Sequence, residues 1–261
     1  MKVNAYATHT DMARAAAELG ADLISEAVAR RGRAVYILST GMSQAAFLDE
    51  LSSMPDVPWN RTVMFHLDDY LGLPTDHPAS FDRYLHERFI DKARPGEYYL
   101  IDGNAADPEA ECERYAGLME REPVDICFAG IGETAHLALN DPPADFDEPR
   151  TFRVIDIDRR SRRQLAGEGW FDSWRDCPAR AITISITRIM RCNTVISVVG
   201  EARKATAVSR TLSEAINPDC PATILRRHPD SHLYLDADSA SGLVRPEPGP
   251  DSLPASFEVD G

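Results

Sequence analysis

The chain has 261 residues, with 28 Lys+Arg against 42 Asp+Glu, and so carries a formal net charge of −14. It is 43% hydrophobic with 18 Pro and 15 Gly, a globular composition that excludes disordered, collagenous and low-complexity classes. The excess of acids argues against nucleic acid or an anionic membrane as partner, because phosphate binding needs clustered Lys and Arg.

In chain order, Thr10 is a plausible N-cap, and Met12, Ala16, Leu19, Leu23 and Ala27 recur at helical spacing. Ala34 to Leu38 is a compact apolar run closed by Ser39-Thr40-Gly41, which reads as a buried strand. A helix follows from about Ser43 to Leu51, then a strand from Thr62 to Leu67. Asp68 to Pro78 reads as a loop, leading to a helix capped at Ser80 with Phe81, Tyr84, Leu85 and Phe89 on one face. Tyr98 to Ile101 suits a short strand. Asp107-Pro108-Glu109 combines an N-cap, a Pro at the first helical position and an acid in the first turn. Val124 to Ala129 is a strand ending in Gly130-Ile131-Gly132. Further strands are expected at Thr151–Ile157, Ala181–Ile186, Thr194–Gly200 and Leu233–Leu235, with a helix from about Ala202 to Ile216.

This alternation predicts an α/β fold, a mostly parallel sheet with helices on both faces. Residues 1–240 are read as one domain. The segment 241–261 holds four prolines, three glycines, four acids and one Arg, and reads as an extended tail. The five cysteines are widely spaced, odd in number and lack a CxxC pair, which suits reduced thiols in the cytoplasm rather than disulfides or zinc. The N-terminus opens no signal peptide, and the most apolar window, Ala181 to Gly200, holds Arg188, Arg191 and Asn193, so no membrane span is expected.

Ligands of open parallel sheets bind beyond the carboxyl ends of the strands. Four segments stand there. Ser39-Thr40-Gly41-Met42-Ser43 offers hydroxyls, backbone N–H groups and a helix start to an anion, or is a plain tight turn. Asp68-Asp69 suits proton abstraction, or simple capping. Gly130-Ile131-Gly132 with His136 and Asp141 lets backbone approach a ligand and provides a polarised imidazole, or is a hydrogen-bonded loop. GxG here is not the dinucleotide fingerprint, since no third Gly follows at the right place. Lys204 in the first turn of a helix opposes the helix dipole, so it suits an anion bound there, or is a solvated surface Lys. His66 is read as a core or supporting histidine, and His77 and His86 as turn and surface residues. Together the strand ends suggest acid/base chemistry on a small phosphorylated metabolite, with neither metal nor cofactor.

On these residues the chain resembles the glucosamine-6-phosphate deaminase (isomerase) family, related to 6-phosphogluconolactonases. The resemblance covers residues 1–240. It is carried by Phe65-His66-Leu67-Asp68-Asp69-Tyr70-Leu71-Gly72-Leu73-Pro74, with His77-Pro78-Ala79-Ser80-Phe81, against the family's Asp-Glu-Tyr-x-Gly-Leu-Pro and His-Pro-x-Ser. It is carried also by Gly130-Ile131-Gly132, His136-Leu137-Ala138 and Asn140-Asp141-Pro142, against Gly-x-Gly-x-Asp-Gly-His-x-Ala-Phe-Asn-Glu-Pro, by Gly200 to Ala205, and by His228-Pro229. The resemblance implies a Rossmann-like fold and conversion of D-glucosamine 6-phosphate and water to D-fructose 6-phosphate and ammonia. It implies Asp68 as the base between C2 and C1, and His136 supported by Asp141 in ring opening. Thr40, Gly41, Ser43 and Lys204 would hold the phosphate, and Asp69 and Gly132 would stand at the substrate. A small phosphorylated sugar is the implied partner, and a homo-oligomer is left open.

The departures define further expectations. Thr134 stands where the family has an acid and Ala135 where it has Gly, so a His–carboxylate relay through position 134 is expected to be lost. Asp69 and Asp141 replace Glu, each one methylene shorter, which is enough to break a contact. The family's phosphate arginine after Asp158 has Arg162, Arg163 or Arg188 as candidates. A related sugar-phosphate isomerase, a lactonase, or a weakly catalytic sugar-phosphate-binding protein are the alternative readings.

Overall fold

A computed structural model describes residues 1–167, 169–243 and 255–258. Its strands are β1 (Lys2–Ala5), β2 (Ala34–Leu38), β3 (Thr62–His66), β4 (Asp68–Tyr70), β5 (Glu97–Tyr98), β6 (Ile126–Ala129), β7 (Phe152–Asp156), β8 (Arg180–Ile184), β9 (Thr194–Val199), β10 (Ser231–Leu235) and β11 (Ala255–Glu258). Its helices are α1 (His9–Arg31), α2 (Ala45–Ser52), α3 (Phe81–Leu85), α4 (Asp91–Ala93), α5 (Pro108–Met119), α6 (Arg159–Gly167), α7 (Ile186–Ile189) and α8 (Ala205–Ser213).

The main sheet has the order β11-β1-β10-β9-β6-β2-β3-β5. All its pairings are parallel except that of β11 with β1, so the α/β expectation stands. Alternation along the strands divides the core in two. Tyr36, Leu38, Met64, Phe128 and Val198 pack under α1 and α2. Val35, Ile37, Phe65, Cys127 and Val199 pack on the other face with Tyr115 of α5 and Val208 of α8.

Four local expectations are corrected. The cap of α1 is Thr8, which accepts a hydrogen bond from Asp11 N at 3.1 Å, and not Thr10, which lies inside the helix. Asp68 to Tyr70 is a strand rather than loop. It joins β8 and β7 in a separate antiparallel sheet of order β4-β8-β7 that covers the carboxyl side of the main one. The helix expected to run to Ile216 ends at Ser213, and the expected Tyr98–Ile101 strand is only Glu97–Tyr98. The tail contributes an edge strand: Ala255–Glu258 pairs antiparallel with Lys2–Ala5, while 244–254 and 259–261, also read as extended tail, lie outside the described residues.

Gly20 fixes the distance between α1 and the sheet. A Cβ there would stand 2.9 Å from two ring carbons of buried Phe128 and 3.4 Å from Leu51. Gly20→Ala gains about 1 kcal/mol of helix propensity but forces that ring to move, at a cost of about 1–3 kcal/mol. Urea denaturation is therefore expected to show a net loss of stability; a variant more stable than wild type would mean that the ring yields freely.

Candidate active site

The carboxyl ends of β2, β3, β6 and β9 open into one pocket that is partly open to solvent. Thr40, Gly41, Ser43, Asp68, Gly132, His136 and Lys204 all line it. Of the expected site residues, Asp69 and Asp141 do not, nor do the candidate arginines Arg162, Arg163 and Arg188.

Two strands end in the same device. After β2, Gly41 adopts φ 106° and a 3-10 turn, Met42–Gln44, leads into α2. After β9, Glu201 adopts φ 78° and a 3-10 turn, Ala202–Lys204, leads into α8. The first turn presents hydroxyls and a helix start to the pocket, and the second brings in the Lys204 ammonium. Tyr84 donates a 2.7 Å hydrogen bond to Gly41 O and holds the first turn down. Gln44, 1% exposed, donates from Nε2 to Val198 O at 3.0 Å and so ties the two strand ends together. Gly130 leaves room for this amide, since a Cβ there would stand 3.1 Å from Nε2.

Asp68 and Asp69 diverge because adjacent residues of a strand point to opposite faces. Asp68 faces the pocket with Tyr70. It is 7% exposed, its carboxylate receives no hydrogen bond among the described residues, and burial pushes its pKa up to about 7. Asp69 turns away, beside Gly103, and accepts from Tyr70 N at 2.7 Å. Burial holds its carboxyl well above the usual range, despite that hydrogen bond. The reading of Asp69 as a substrate contact is thus corrected: β4 is a strand, and strand alternation takes it out of the pocket. His66 supports from below. It is fully buried, its Nε2 accepts from Ile101 N at 2.9 Å, and burial pushes its pKa down to about 3, so it is a neutral structural imidazole.

His136 folds back over Gly132. A Cβ at Gly132 would lie 2.0 Å from His136 Nε2, so only glycine admits the ring. Its Nδ1 lies 3.0 Å from Asp141 Oδ1 and 2.8 Å from Thr134 Oγ1. Thr134 in turn donates to Asp141 Oδ1 at 3.2 Å, and Ser161 donates to Asp141 Oδ2 at 2.7 Å. Burial raises the Asp141 pKa, but contacts from His136, Ser161 and Thr134 outweigh it and bring the carboxyl below its ordinary value. Thr134 has one hydroxyl proton, and Asp141 takes it. Nδ1 must then carry its own proton to bond Thr134, and Nε2 is left as the working nitrogen. Position 134 carries no carboxylate, yet the hydrogen-bonded contact to the imidazole is kept. The shorter Asp141 still touches the ring, and Thr134 bridges the pair rather than breaking it. Ala135 between them takes φ 63°, the left-handed region where its Cβ is strained.

Arg162, Arg163 and Arg188 do not line the pocket, which corrects the expected arginine at the phosphate. Arg188 is buried against Cys192 Sγ, and Arg162 donates to Cys177 O at 2.7 Å. Lys204 is the only Lys or Arg among the described lining residues. Gln164, Leu165 and Trp170 close the pocket from α6 and the segment after it, and were not expected. The one signal for them was two large apolar residues set among arginines and glycines.

The family model for glucosamine-6-phosphate isomerases/6-phosphogluconolactonase matches residues 7–234. The chain belongs to this family. It is 32% identical over 225 residues to a glucosamine-6-phosphate deaminase of Bacillus cereus (strain G9842), covering 86% of this chain and 84% of that one. A Bacillus thuringiensis (strain Al Hakam) deaminase matches at 31% with the same coverage. Among solved structures, a monomeric glucosamine-6-phosphate deaminase superposes with a TM-score of 0.86 at 29% identity, covering 93% of this chain and all of that one. A 6-phosphogluconolactonase from Shewanella baltica OS155 gives a TM-score of 0.75 at 17% identity, covering 90% of this chain and 97% of the other, a likeness of fold alone. This family is one of enzymes acting on sugar phosphates. Among the described residues, no helix is long and apolar enough to cross a membrane.

Two measurements check this site. Because Asp68 titrates near 7 folded and near 3.8 unfolded, the fold favours its neutral form. Its contribution is fully present below pH 3.8 and is lost as pH rises through 7, with a ceiling of about 4 kcal/mol. Asp68→Asn is therefore expected to melt higher than wild type at pH 8, with the gap closing towards pH 5; equal melting curves at pH 8 would contradict the burial of an unpaired carboxyl. Thr134→Val removes the bridge while keeping the volume, and is expected to lower kcat about tenfold, a part of the roughly 10²–10⁴-fold worth of an acid–base group. Thr134→Ser is expected to keep wild-type kcat, and a Ser variant as slow as the Val variant would rule the hydroxyl out.

Proposed function

We propose that this protein is a glucosamine-6-phosphate deaminase, converting D-glucosamine 6-phosphate and water to D-fructose 6-phosphate and ammonia. The observation that carries this reading is the convergence of a buried high-pKa carboxyl, Asp68, and an oriented imidazole, His136, on a pocket whose far wall holds hydroxyls and Lys204.

In this reading Thr40, Gly41, Ser43 and Lys204 bind the phosphate, and that remote group supplies the binding energy that orients the sugar. His136 Nε2, left unprotonated by the Nδ1 bond to Thr134 and steadied by Asp141, takes the proton of the C1 hydroxyl and hands it to the ring oxygen, and the ring opens to the aldehyde. The Asp68 carboxylate then removes the proton from C2 while O1 takes a proton from solvent, giving an enolamine, and Asp68 returns its proton to C1, giving a ketose iminium ion. Water adds to that ion and ammonia leaves, so the atoms balance. A base with a pKa of about 7 is well matched to proton abstraction at neutral pH. Gly132 permits the imidazole to lie flat against the sugar. All five cysteines are free and buried, which fits the reducing interior of a cell.

A coupled ammonia assay with glucosamine 6-phosphate tests the reading. Pure wild-type protein is expected to release ammonia, with kcat/KM rising as pH climbs through about 7 and Asp68 loses its proton. Asp68→Asn is expected to lose at least 10²-fold in kcat. Acid release from 6-phosphogluconolactone with no ammonia from the amino sugar would assign the protein to the lactonase reading instead. A higher melting temperature with phosphosugar but no turnover of either compound would leave a binding protein.

A further inference from the structure

A second concentration of charge stands beside the pocket and takes no part in the chemistry above. Trp174, half-buried, has four guanidinium groups against its indole. Arg159 lies 4.6 Å from the ring centroid, Arg175 4.7 Å, Arg162 5.3 Å and Arg163 5.9 Å. Arg162 is committed to structure, donating to Cys177 O at 2.7 Å and Arg175 O at 3.4 Å. Arg159, Arg163 and Arg175 are exposed. The acids of the same stretch are Asp158, Glu168, Asp172 and Asp176; Glu168 lies outside the described residues, and among the described ones none forms an ion pair within 4 Å with any of these arginines. Asp158 accepts only a backbone N–H, from Arg160. On a chain of charge −14, residues 158–176 set five arginines against four acids, and the guanidinium groups over the indole concentrate that positive excess at one place.

This surface is continuous with the pocket. Arg159 and Arg163 sit four residues apart on one face of α6, while Gln164 and Leu165 of the same helix line the pocket. Trp170, four residues before Trp174, lines it as well. Beneath, Leu165, Ala166 and Trp170 pack on a small apolar cluster around Tyr70, Phe171 and Ile157 that anchors the segment. The Arg159, Arg163 and Arg175 side chains, placed over the indole, donate no hydrogen bond among the described residues, so their N–H groups can meet phosphate oxygens.

We propose that Arg159, Arg163 and Arg175, held on Trp174, form a capture surface at the pocket's edge that gathers phosphomonoester ligands and raises their rate of entry. The proposal rests on the sugar-phosphate reading of the pocket, but not on turnover. The surface acts on the encounter, not on the bound complex, because none of the three arginines lines the pocket. Its effect is thus on association and fades in salt, whereas Lys204 within the pocket acts on retention.

The test is stopped-flow tryptophan emission with glucose 6-phosphate, whose binding is read without any reaction, on wild type and on the triple variant Arg159→Gln, Arg163→Gln, Arg175→Gln. At low ionic strength the association rate constant is expected to fall about tenfold in the variant, with the dissociation rate unchanged and the two proteins converging near 0.5 M salt. Matched thermal melts exclude misfolding, and the single variant Arg175→Gln, outside α6, is expected to show a smaller loss of the same kind. Equal association rates, a faster dissociation at equal association, or a deficit that persists at high salt would each overturn the proposal. Absence of ammonia release would fail the deaminase reading while leaving this measurement intact.

Discussion

The site exists because four neighbouring strands, β3, β2, β6 and β9, run parallel in register. In a parallel sheet every strand delivers its next residue to the same edge. Leu38 pairs with His66, and Ala129 pairs with Ser197, so the residues that follow emerge side by side. No one of the four segments makes a site alone. An antiparallel neighbour at any of these places would send its following turn to the opposite edge, and either the phosphate donors or the acid–base pair would be lost. Gln44, spanning from the β2 turn to Val198 of β9, ties the two phosphate-side turns to each other, so their spacing does not rest on strand pairing alone.

What the sequence made legible follows from which constraint dominates each stretch. Strands buried on both faces read as continuous apolar runs, and Ala34–Leu38, Ile126–Ala129 and Thr194–Val199 were recognisable for that reason. Asp68-Asp69-Tyr70 was not, because its two carboxyls resemble a turn. It becomes a strand only through pairing with Ala181–Thr183, more than a hundred residues away. That long-range pairing also decides that Asp68 enters the pocket and Asp69 leaves it. Single residues next to one another in space but not in chain were similarly hidden. Nothing local tells that Ser161 completes the hydrogen bonds of Asp141, or that Thr134 bridges to it. The edge strand Ala255–Glu258 was masked by the prolines and acids around it.

The replacement at position 134 illustrates how a site tolerates a change that looks disabling on paper. Thr134 cannot ionise near neutrality, yet the role needed at that position is geometric rather than ionic. The negative charge beside the imidazole is already supplied by Asp141, at 3.0 Å from Nδ1. What remains is to fix the tautomer and the ring plane, and a hydroxyl that accepts from Nδ1 and donates to Asp141 does both. Gly132 fixes the ring from the other side by leaving no room for any alternative residue. Asp68 shows the opposite economy. Among the described residues its carboxyl has no donor, which costs stability at alkaline pH but keeps the group basic. Capping it with hydrogen bonds would stabilise the fold and remove the reason for its presence.

The net charge of −14 is consistent with an anionic ligand once its distribution is considered. Charges separated by more than about 10 Å in physiological salt scarcely act on one another. What a phosphate meets at the pocket is therefore set by neighbours within that range. Asp49, Glu97 and Glu214 pair with Arg88, Arg33 and Arg210 on outer surfaces, and so cancel locally. Among the described residues, three arginines without an acid partner, Arg159, Arg163 and Arg175, lie against Trp174, two of them on α6, which also lines the pocket. Stacking on an indole is what allows them to stay there: the ring holds the guanidinium groups in place of a carboxylate, and an ion pair in the same position would have neutralised the surface it was meant to build.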